Sequence, residues 1–289
     1  MTDNNLKVWL ITGSSTGFGR SLTEAVLEKG DRVVATARKP EQLDELIEQY
    51  PEAAKAVALD VTNLQEVGNA VKAAVDAFGR IDVLVNNAGY GSMGAIEEQS
   101  DEAIKRQFDT NLFGALNMIR AVLPTMREQH SGHILNISSV GGVVSMAGGG
   151  IYSSTKFALE AVSEALAQEV APLGIKVTII EPGAFRTDFS GRSLATPDRT
   201  IADYAQTSGK FMQWVQEVDG KQPGDPAKAA QAMIQVVEHE NPPLRLALGE
   251  DAVNGISKKL ESMKAELDAW KQVSINTAFE GASVGAIGG

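Results

Sequence analysis

The chain has 289 residues, 43% of them hydrophobic and 22% charged, and carries a formal net charge of −11. That acidic balance repels phosphodiester backbones and anionic lipid, which argues against nucleic acid or a membrane as partner. With no cysteine, and only His130, His133 and His239 as imidazoles, disulfides, thiol catalysis and a zinc centre are excluded, and no metal is expected.

Residues 1–5 (MTDNN) lack the basic start and apolar run of a signal peptide, and no apolar stretch reaches spanning length, so the expected location is the cytoplasm. The chain then alternates short β-branched runs with longer helical segments. A buried strand is expected over 7–12 (KVWLIT) and a helix over 18–29, closed by Gly30. Between them Gly13, Ser14, Ser15, Thr16, Gly17, Phe18 and Gly19 follow the spacing G-x-x-x-G-x-G. Glycines there permit positive φ and close backbone approach, and the free N–H groups of a helix start suit a pyrophosphate. Further strands are expected over 32–37, 56–60, 81–86, 133–138, 176–181 and 244–248. The helices between them are expected over 41–49, 64–78, from 101 toward 128 (two helices, with Ser100 as N-cap), 152–171, 226–238 after Asp225, and 251–270. This repetition predicts an α/β fold: a single-domain, doubly wound parallel sheet of Rossmann type, helices on both faces, over residues 1–270. Its ligand crevice should lie beyond the C-terminal ends of the strands. A C-terminal tail is expected over 271–289.

The unusual residues cluster at those strand ends. Tyr152 and Lys156 lie four apart on one helix face, so phenol and ammonium share a crevice. A nearby cation favours the phenolate and brings a tyrosine within reach of acid–base work. Taken alone, such a pair reads more readily as a solvated surface couple. Ser138 and Ser139 end the fifth strand, where a hydroxyl can bond a substrate carbonyl oxygen as charge develops on it, or simply cap a turn. Asn86, Asn87, Ala88 and Gly89 end the fourth strand and fit a backbone passing close to a ligand, or a plain turn. Asn111 sits in a helical stretch that asparagine disfavours.

In this combination, T-G-x-x-x-G-x-G (12–19), N-N-A-G (86–89), Asn111, Ser139, Tyr152-x-x-x-Lys156 and Pro182-Gly183 resemble the short-chain dehydrogenase/reductase family over about residues 7–248. The resemblance implies that Tyr152 transfers the proton, and that Lys156 lowers the tyrosine pKa and binds the nicotinamide ribose. It further implies that Ser139 polarises the substrate oxygen and Asn111 holds a water linking Lys156 to solvent. Asp60 and Val61 would bracket the adenine, and Pro182, Gly183 and Thr187 would hold the nicotinamide end. The cofactor set so implied is Gly13, Ser15, Thr16, Gly17, Phe18, Gly19, Arg38, Asp60, Val61, Asn87, Ala88, Gly89, Tyr152, Lys156, Pro182, Gly183 and Thr187. Leu159, where enoyl reductases carry lysine, and Thr16, where sugar epimerases carry glycine, argue against those subtypes. The stretch from Thr36 to Arg38 and the longer C-terminal half are similar to reductases related to hydroxysteroid and retinol dehydrogenases.

The second strand ends in Ala37 and Arg38, with no acid from 33 to 40. An NAD site usually places an acid there for the ribose 2′-OH, whereas alanine leaves room for a 2′-phosphate and arginine suits it. NADP is therefore the expected cofactor. Residues 185–225 hold Phe185, Phe189, Tyr204, Phe211 and Trp214, too long a segment for a plain connector. They read as a lid over an apolar pocket, with Met146 on the other wall, which points to a hydrophobic ketone, aldehyde or alcohol as small-molecule substrate. A homo-oligomer, dimer or tetramer, is expected through the helices around Asn111 and Tyr152, where Ala158, Ala161, Ala165 and Ala167 permit close approach. The alternative reading is a non-catalytic dinucleotide-binding redox sensor, against which stands the retention of both Tyr152 and Lys156.

Overall fold

The structure, a computed structural model, describes residues 6–189, 191, 194–197 and 199–282. Residues 1–5 and the end of the expected tail, 283–289, lie outside the described residues, as do 190, 192, 193 and 198 of the expected lid. In chain order the elements are β1 (Val8–Ile11), α1 (Gly17–Glu28), β2 (Arg32–Ala37), α2 (Asp44–Gln49), β3 (Ala54–Ala58), α3 (Leu64–Phe78), β4 (Val83–Asn86), β5 (Gly91–Ser92) and α4 (Asp101–Phe108). Then come α5 (Gly114–Gln129), β6 (Gly132–Ile137), α6 (Gly150–Val170), β7 (Ile175–Pro182), β8 (Leu194–Ala195), α7 (Lys210–Val218), α8 (Pro226–Glu238), β9 (Arg245–Leu248) and α9 (Glu250–Ile275).

The main sheet has seven strands in the order β3-β2-β1-β4-β6-β7-β9, all parallel. Parallel strands buried on both faces need apolar residues on both, and the alternation along β1 divides them. Trp9 and Ile11 join Leu22 and Val26 of α1 and Met233 and Val237 of α8 in one core layer. Leu10 points the other way, to Val67 of α3, Met118 and Val122 of α5 and Leu166 of α6. The chain moves outward from β1 to β3 and then returns to β4 beside β1, so the crossovers leaving β1 and β4 take opposite faces. The crevice between them is the topological switch point. The expected caps Ser100 and Asp225 are in place, the Ser100 hydroxyl accepting from the Ala103 amide (3.2 Å) and the Asp225 carboxylate from the Ala227 amide (2.9 Å), and α3 ends on Gly79 at φ 77°.

Four local features depart from the expectation. Residues 40–43 form a 3₁₀ turn before α2, with Pro40 at its start. The helices α4 and α5 are joined by a π turn, Asp109–Phe113, and it carries Asn111. Residues 185–225 contain α7 and β8, and β8 pairs with β5 in a separate two-stranded sheet. The last helix continues to Ile275, five residues into the expected tail, because 271–275 holds neither glycine nor proline to stop it.

Candidate active site

The glycine loop between β1 and α1 is fastened to the end of β4. Thr12 Oγ1 donates to the Val85 carbonyl (3.2 Å) and accepts from the amides of Asn87 and Ala88 (2.9 Å each). Asn87 Nδ2 returns across the loop to the carbonyls of Thr12 (2.8 Å) and Gly13 (3.1 Å). Gly13 and Gly17 take φ of 69° and 56°, which L side chains rarely adopt. At Gly19 a Cβ would overlap the Gly13 carbonyl oxygen and stand 2.5 Å from Asn87 Nδ2. The N-cap residue of α1, Thr16, makes no side-chain capping bond. The first-turn amides of α1 thus lack the cap that Asn63, Ser100 and Asp225 supply to α3, α4 and α8. A tight glycine cradle closing on an uncapped helix start fits a pyrophosphate. Ser15 is half-buried in this loop. Phe18 packs edge-on against Phe185, with ring centroids 5.1 Å apart. Thr187 lies beside Gly17, its Cβ 3.4 Å from where a side chain there would begin.

The second expected cluster gathers at the ends of β4 and β6. Ser139 caps the turn after β6, accepting from the Gly141 amide (2.9 Å). Its hydroxyl also lies beside the Tyr152 phenol, near enough to act on its ionisation. A Cβ at Gly141 would stand 3.2 Å from both Ser139 Oγ and Tyr152 Cε1, so glycine there leaves the two side chains room to meet. Burial pushes the Tyr152 phenol up to about 12, and the neighbouring Ser139 hydroxyl pulls against it. Lys156 is buried one turn later, with Nζ 5.9 Å from the Tyr152 ring centroid and donating to the Ile137 carbonyl (2.7 Å). Burial brings its ammonium down to about 8, while the charge of Glu160 holds it up. Asn111 is buried. Its Oδ1 accepts from the Tyr90 amide (3.0 Å), and its Nδ2 donates to the Tyr90 carbonyl (2.9 Å) and to Thr155 Oγ1 (3.2 Å). Gly89 joins the two clusters: a Cβ there would lie 3.2 Å from Asn111 Oδ1 and 3.8 Å from Lys156 Nζ.

Other expected residues line the same rim. Arg38 is exposed at the end of β2, next to buried Ala37, and has no ion-pair partner among the described residues. The Asp60 carboxylate accepts from the amide and hydroxyl of Thr62 (2.9 and 2.7 Å). Val61 is buried against Gly114. At the end of β7, Pro182 is buried and the Gly183 amide donates to the Leu248 carbonyl (2.9 Å). The lid aromatics divide. Phe189 tilts onto Tyr152 (5.3 Å between centroids), and Phe211 stacks on Trp214 beside Gly148. Tyr204 turns outward instead, donating to Glu97 (2.7 Å).

Sequence reasoning missed a charged cluster behind Lys156. Glu160 and Glu181 are both buried, and the Arg245 guanidinium reaches Glu160 (3.1 Å), Glu181 (3.4 Å) and exposed Glu164 (2.7 Å). Burial, chiefly, pushes the Glu181 carboxyl up to about 7. Ser138, buried beside Ser139, faces Glu160 rather than the crevice. One signal was present: Tyr152, Lys156 and Glu160 form a single i, i+4 stripe.

A doubly wound sheet with a glycine cradle and a serine–tyrosine–lysine cluster at its switch point defines a Rossmann-type oxidoreductase class. Residues 7–198 match the family model described as short chain dehydrogenase, and the chain belongs to the short-chain dehydrogenase/reductase family. It is 43% identical over 274 residues to Oxidoreductase BOA17 of Botryotinia fuckeliana, covering 94% of this chain and 99% of that one. It is 39% identical over 244 residues to a 3-ketodihydrosphingosine reductase of Bacteroides thetaiotaomicron, covering 84% and 88%. A crystal structure of a short-chain dehydrogenase from Streptomyces avermitilis superposes with TM-score 0.90 at 47% identity, covering 96% and 100%. More distant structures hold either cofactor. A serine dehydrogenase complexed with NADP+ matches at TM-score 0.73 and 26% identity, covering 96% and 99%. A 3-ketoacyl-(acyl-carrier-protein) reductase from Brucella melitensis complexed with NADH matches at 0.71 and 27%, covering 84% and 96%.

Proposed function

We propose that this oxidoreductase is NADP(H)-dependent and reduces a hydrophobic ketone or aldehyde, or oxidises the matching alcohol, with Tyr152 as general acid and base. The observation that carries the reading is the meeting of Ser139, Tyr152 and Lys156 beside Gly89, whose neighbours Asn87 and Ala88 are fastened to the glycine cradle. The nicotinamide, when bound, supplies or receives the hydride. Ser139 and Tyr152 then hold the substrate oxygen between two hydroxyls. A phenol kept protonated by burial is ready to give its proton to that oxygen as charge develops there. Lys156, charged below about pH 8, favours the phenolate left behind. Asn111 fastens Tyr90 and Thr155 around the lysine, and its Oδ1 faces the same gap at Gly89.

NADP preference is supported by Ala37 and by exposed Arg38, with no carboxylate on that strand end to repel a 2′-phosphate. An apolar substrate is supported by Phe189 against Tyr152, by Phe211 beside Gly148, and by Met146, half-exposed two residues before that glycine. The 3-ketodihydrosphingosine reductase likeness agrees with a long-chain ketone. We also infer a cytoplasmic homo-oligomer, with Phe113 and Phe157, 50% and 42% exposed beside Asn111 and Lys156, at its interface. Among the described residues no helix is long and apolar enough to cross a membrane.

The test is oxidation of NADPH and of NADH with a panel of long-chain, steroid and short polar ketones. Faster turnover of the bulky apolar ketones, with NADPH preferred in kcat/KM, is expected, and Ala37→Asp with Arg38→Ala should reverse the cofactor preference. Equal efficiency with NADH would refute the cofactor assignment, and turnover of short polar substrates alone would refute the substrate class.

A further inference from the structure

The helix α9 leaves the body of the protein. Its first turn is anchored: the Asp251 carboxylate accepts from the Ala184 amide (2.7 Å), and Ala252 is buried. Gly255 faces Val140, 3.6 Å from where a side chain there would begin. From Leu260 to Ile275 every residue is exposed. Yet the exposed part is not polar all round. Val253, Leu260, Met263, Leu267 and Trp270, together with half-buried Ile256, recur along α9 at alternating intervals of three and four residues, the spacing of a coiled-coil seam. Leu260, Met263, Leu267 and Trp270 are 58%, 53%, 65% and 65% exposed. An uncovered seam of this size marks an interaction surface.

We propose that this seam is covered by α9 of a second copy of the chain, packed antiparallel. The flanking charges choose the arrangement. In a parallel pair, Glu266 would face the partner's Lys271 but Lys259 would face the partner's Lys264, so like charges meet. Antiparallel, three registers keep the seam closed. The register centred on Met263 and its partner's Leu267 sets Glu266 against the partner's Glu266 and Lys264 against the partner's Lys264. The register that slides further toward the C-terminus sets Lys264 against the partner's Lys271. The remaining register pairs Val253 with the partner's Trp270, Ile256 with the partner's Leu267, and Leu260 with the partner's Met263, each twice by symmetry. It also sets Lys259 against the partner's Glu266 on both sides and brings no like charges together. An isologous contact of this kind closes on itself as a dimer. Lipid is a poorer occupant, because the polar face carries both Lys258 and Lys271 and Glu261 and Asp268, on a chain of net charge −11.

The chain has no cysteine of its own, so introduced thiols report without background. Lys259→Cys with Glu266→Cys should give a covalent dimer on mild oxidation. Within one helix these positions are seven residues, about 10 Å, apart, too far to bridge. Leu267→Cys alone should give no covalent dimer, since antiparallel pairing keeps position 267 far from its own copy. Leu267→Lys should halve the mass measured by light scattering or, if α4–α6 contacts also associate the chain, halve that larger assembly. Lys259→Glu should weaken association at least about tenfold, and adding Glu266→Lys should restore it. A double-cysteine variant that stays uncrosslinked, whether α9 binds phosphatidylcholine vesicles or the chain's own 283–289 segment instead, overturns the proposal. So does crosslinking of Leu267→Cys alone, or an unchanged mass for Leu267→Lys.

Discussion

Tyr152 illustrates how opposed two local effects can be. Burial favours the neutral phenol and holds it at about 12, while the neighbouring Ser139 hydroxyl favours the charged form and loses. The same burial works in the other direction on Lys156, bringing it to about 8, so that Glu160 one turn on becomes the group that keeps the lysine charged. Two expectations follow for the proposed mechanism. Tyr152→Phe keeps the ring against Phe189 but removes the proton. Turnover should fall by about a hundredfold or more while cofactor affinity, read by fluorescence titration, is retained. Near-normal turnover would rule out the phenol as the acid. Glu160→Gln removes the charge that raises the Lys156 pKa, so the alkaline limb of the turnover–pH profile should move to lower pH. A profile unchanged in position would show that Glu160 does not act on the lysine.

At the scale of elements, the crevice exists because β1 and β4 end side by side and exchange hydrogen bonds through Thr12 and Asn87. This brings the start of α1 within reach of a ligand while keeping its carbonyl partners fixed. Gly19 is the tightest point of the junction. Gly19→Ala would drive a methyl into the Gly13 carbonyl and Asn87, and should destabilise the fold by about 1–3 kcal/mol in denaturant titration. It should also weaken cofactor binding by moving the loop. Unchanged stability and affinity together would show that the loop can relax without cost. The lid shows the same dependence on neighbours: Phe185 and Phe189 lie on β7's continuation and face the crevice, whereas Tyr204 is drawn outward by Glu97.

For the whole molecule, two buried titratable groups set opposing slopes on stability. His133, on β6, bonds Thr178 of β7 through Nε2 (2.9 Å) and is brought down to about 4, mainly by burial. Its native form refuses a proton that the unfolded chain takes at about 6.5, so stability is lost as pH falls from 6.5 toward 4. Glu181, on β7, holds its proton to about 7, whereas in the unfolded chain it ionises near the ordinary 4.5. Its contribution is full below 4.5 and lost as pH rises toward 7. The two oppose each other between pH 4.5 and 6.5, and the Tm of the unmodified protein should be nearly flat there. Glu181→Gln should leave a Tm that drops on acidification, and His133→Gln one that drops as pH rises. Parallel, unshifted profiles for all three proteins would show that neither group is linked to folding.

What was legible in the sequence was local. The strand and helix periods, the caps Ser100 and Asp225, and the motifs at 12–19, 86–89 and 152–156 each depend on residues close together in the chain, and family membership rests on them. The rest required distant segments to meet. Glu160, Glu181 and Arg245 come from α6, β7 and β9, and are unremarkable until the sheet brings them into one buried cluster. Asn111 reads as a weak helix residue in sequence, but it is a buried bracket between Tyr90 and Thr155 because a π turn aims it inward. Ser138 and Ser139 are adjacent and chemically identical, and only the extended backbone that leaves β6 decides that one faces Glu160 and the other Tyr152. The apolar repeat of α9 was likewise present in the residues from the start, but whether it met the core or solvent depended on where β9 releases the helix. Periodicity states which face of an element is apolar; the tertiary arrangement decides what that face meets.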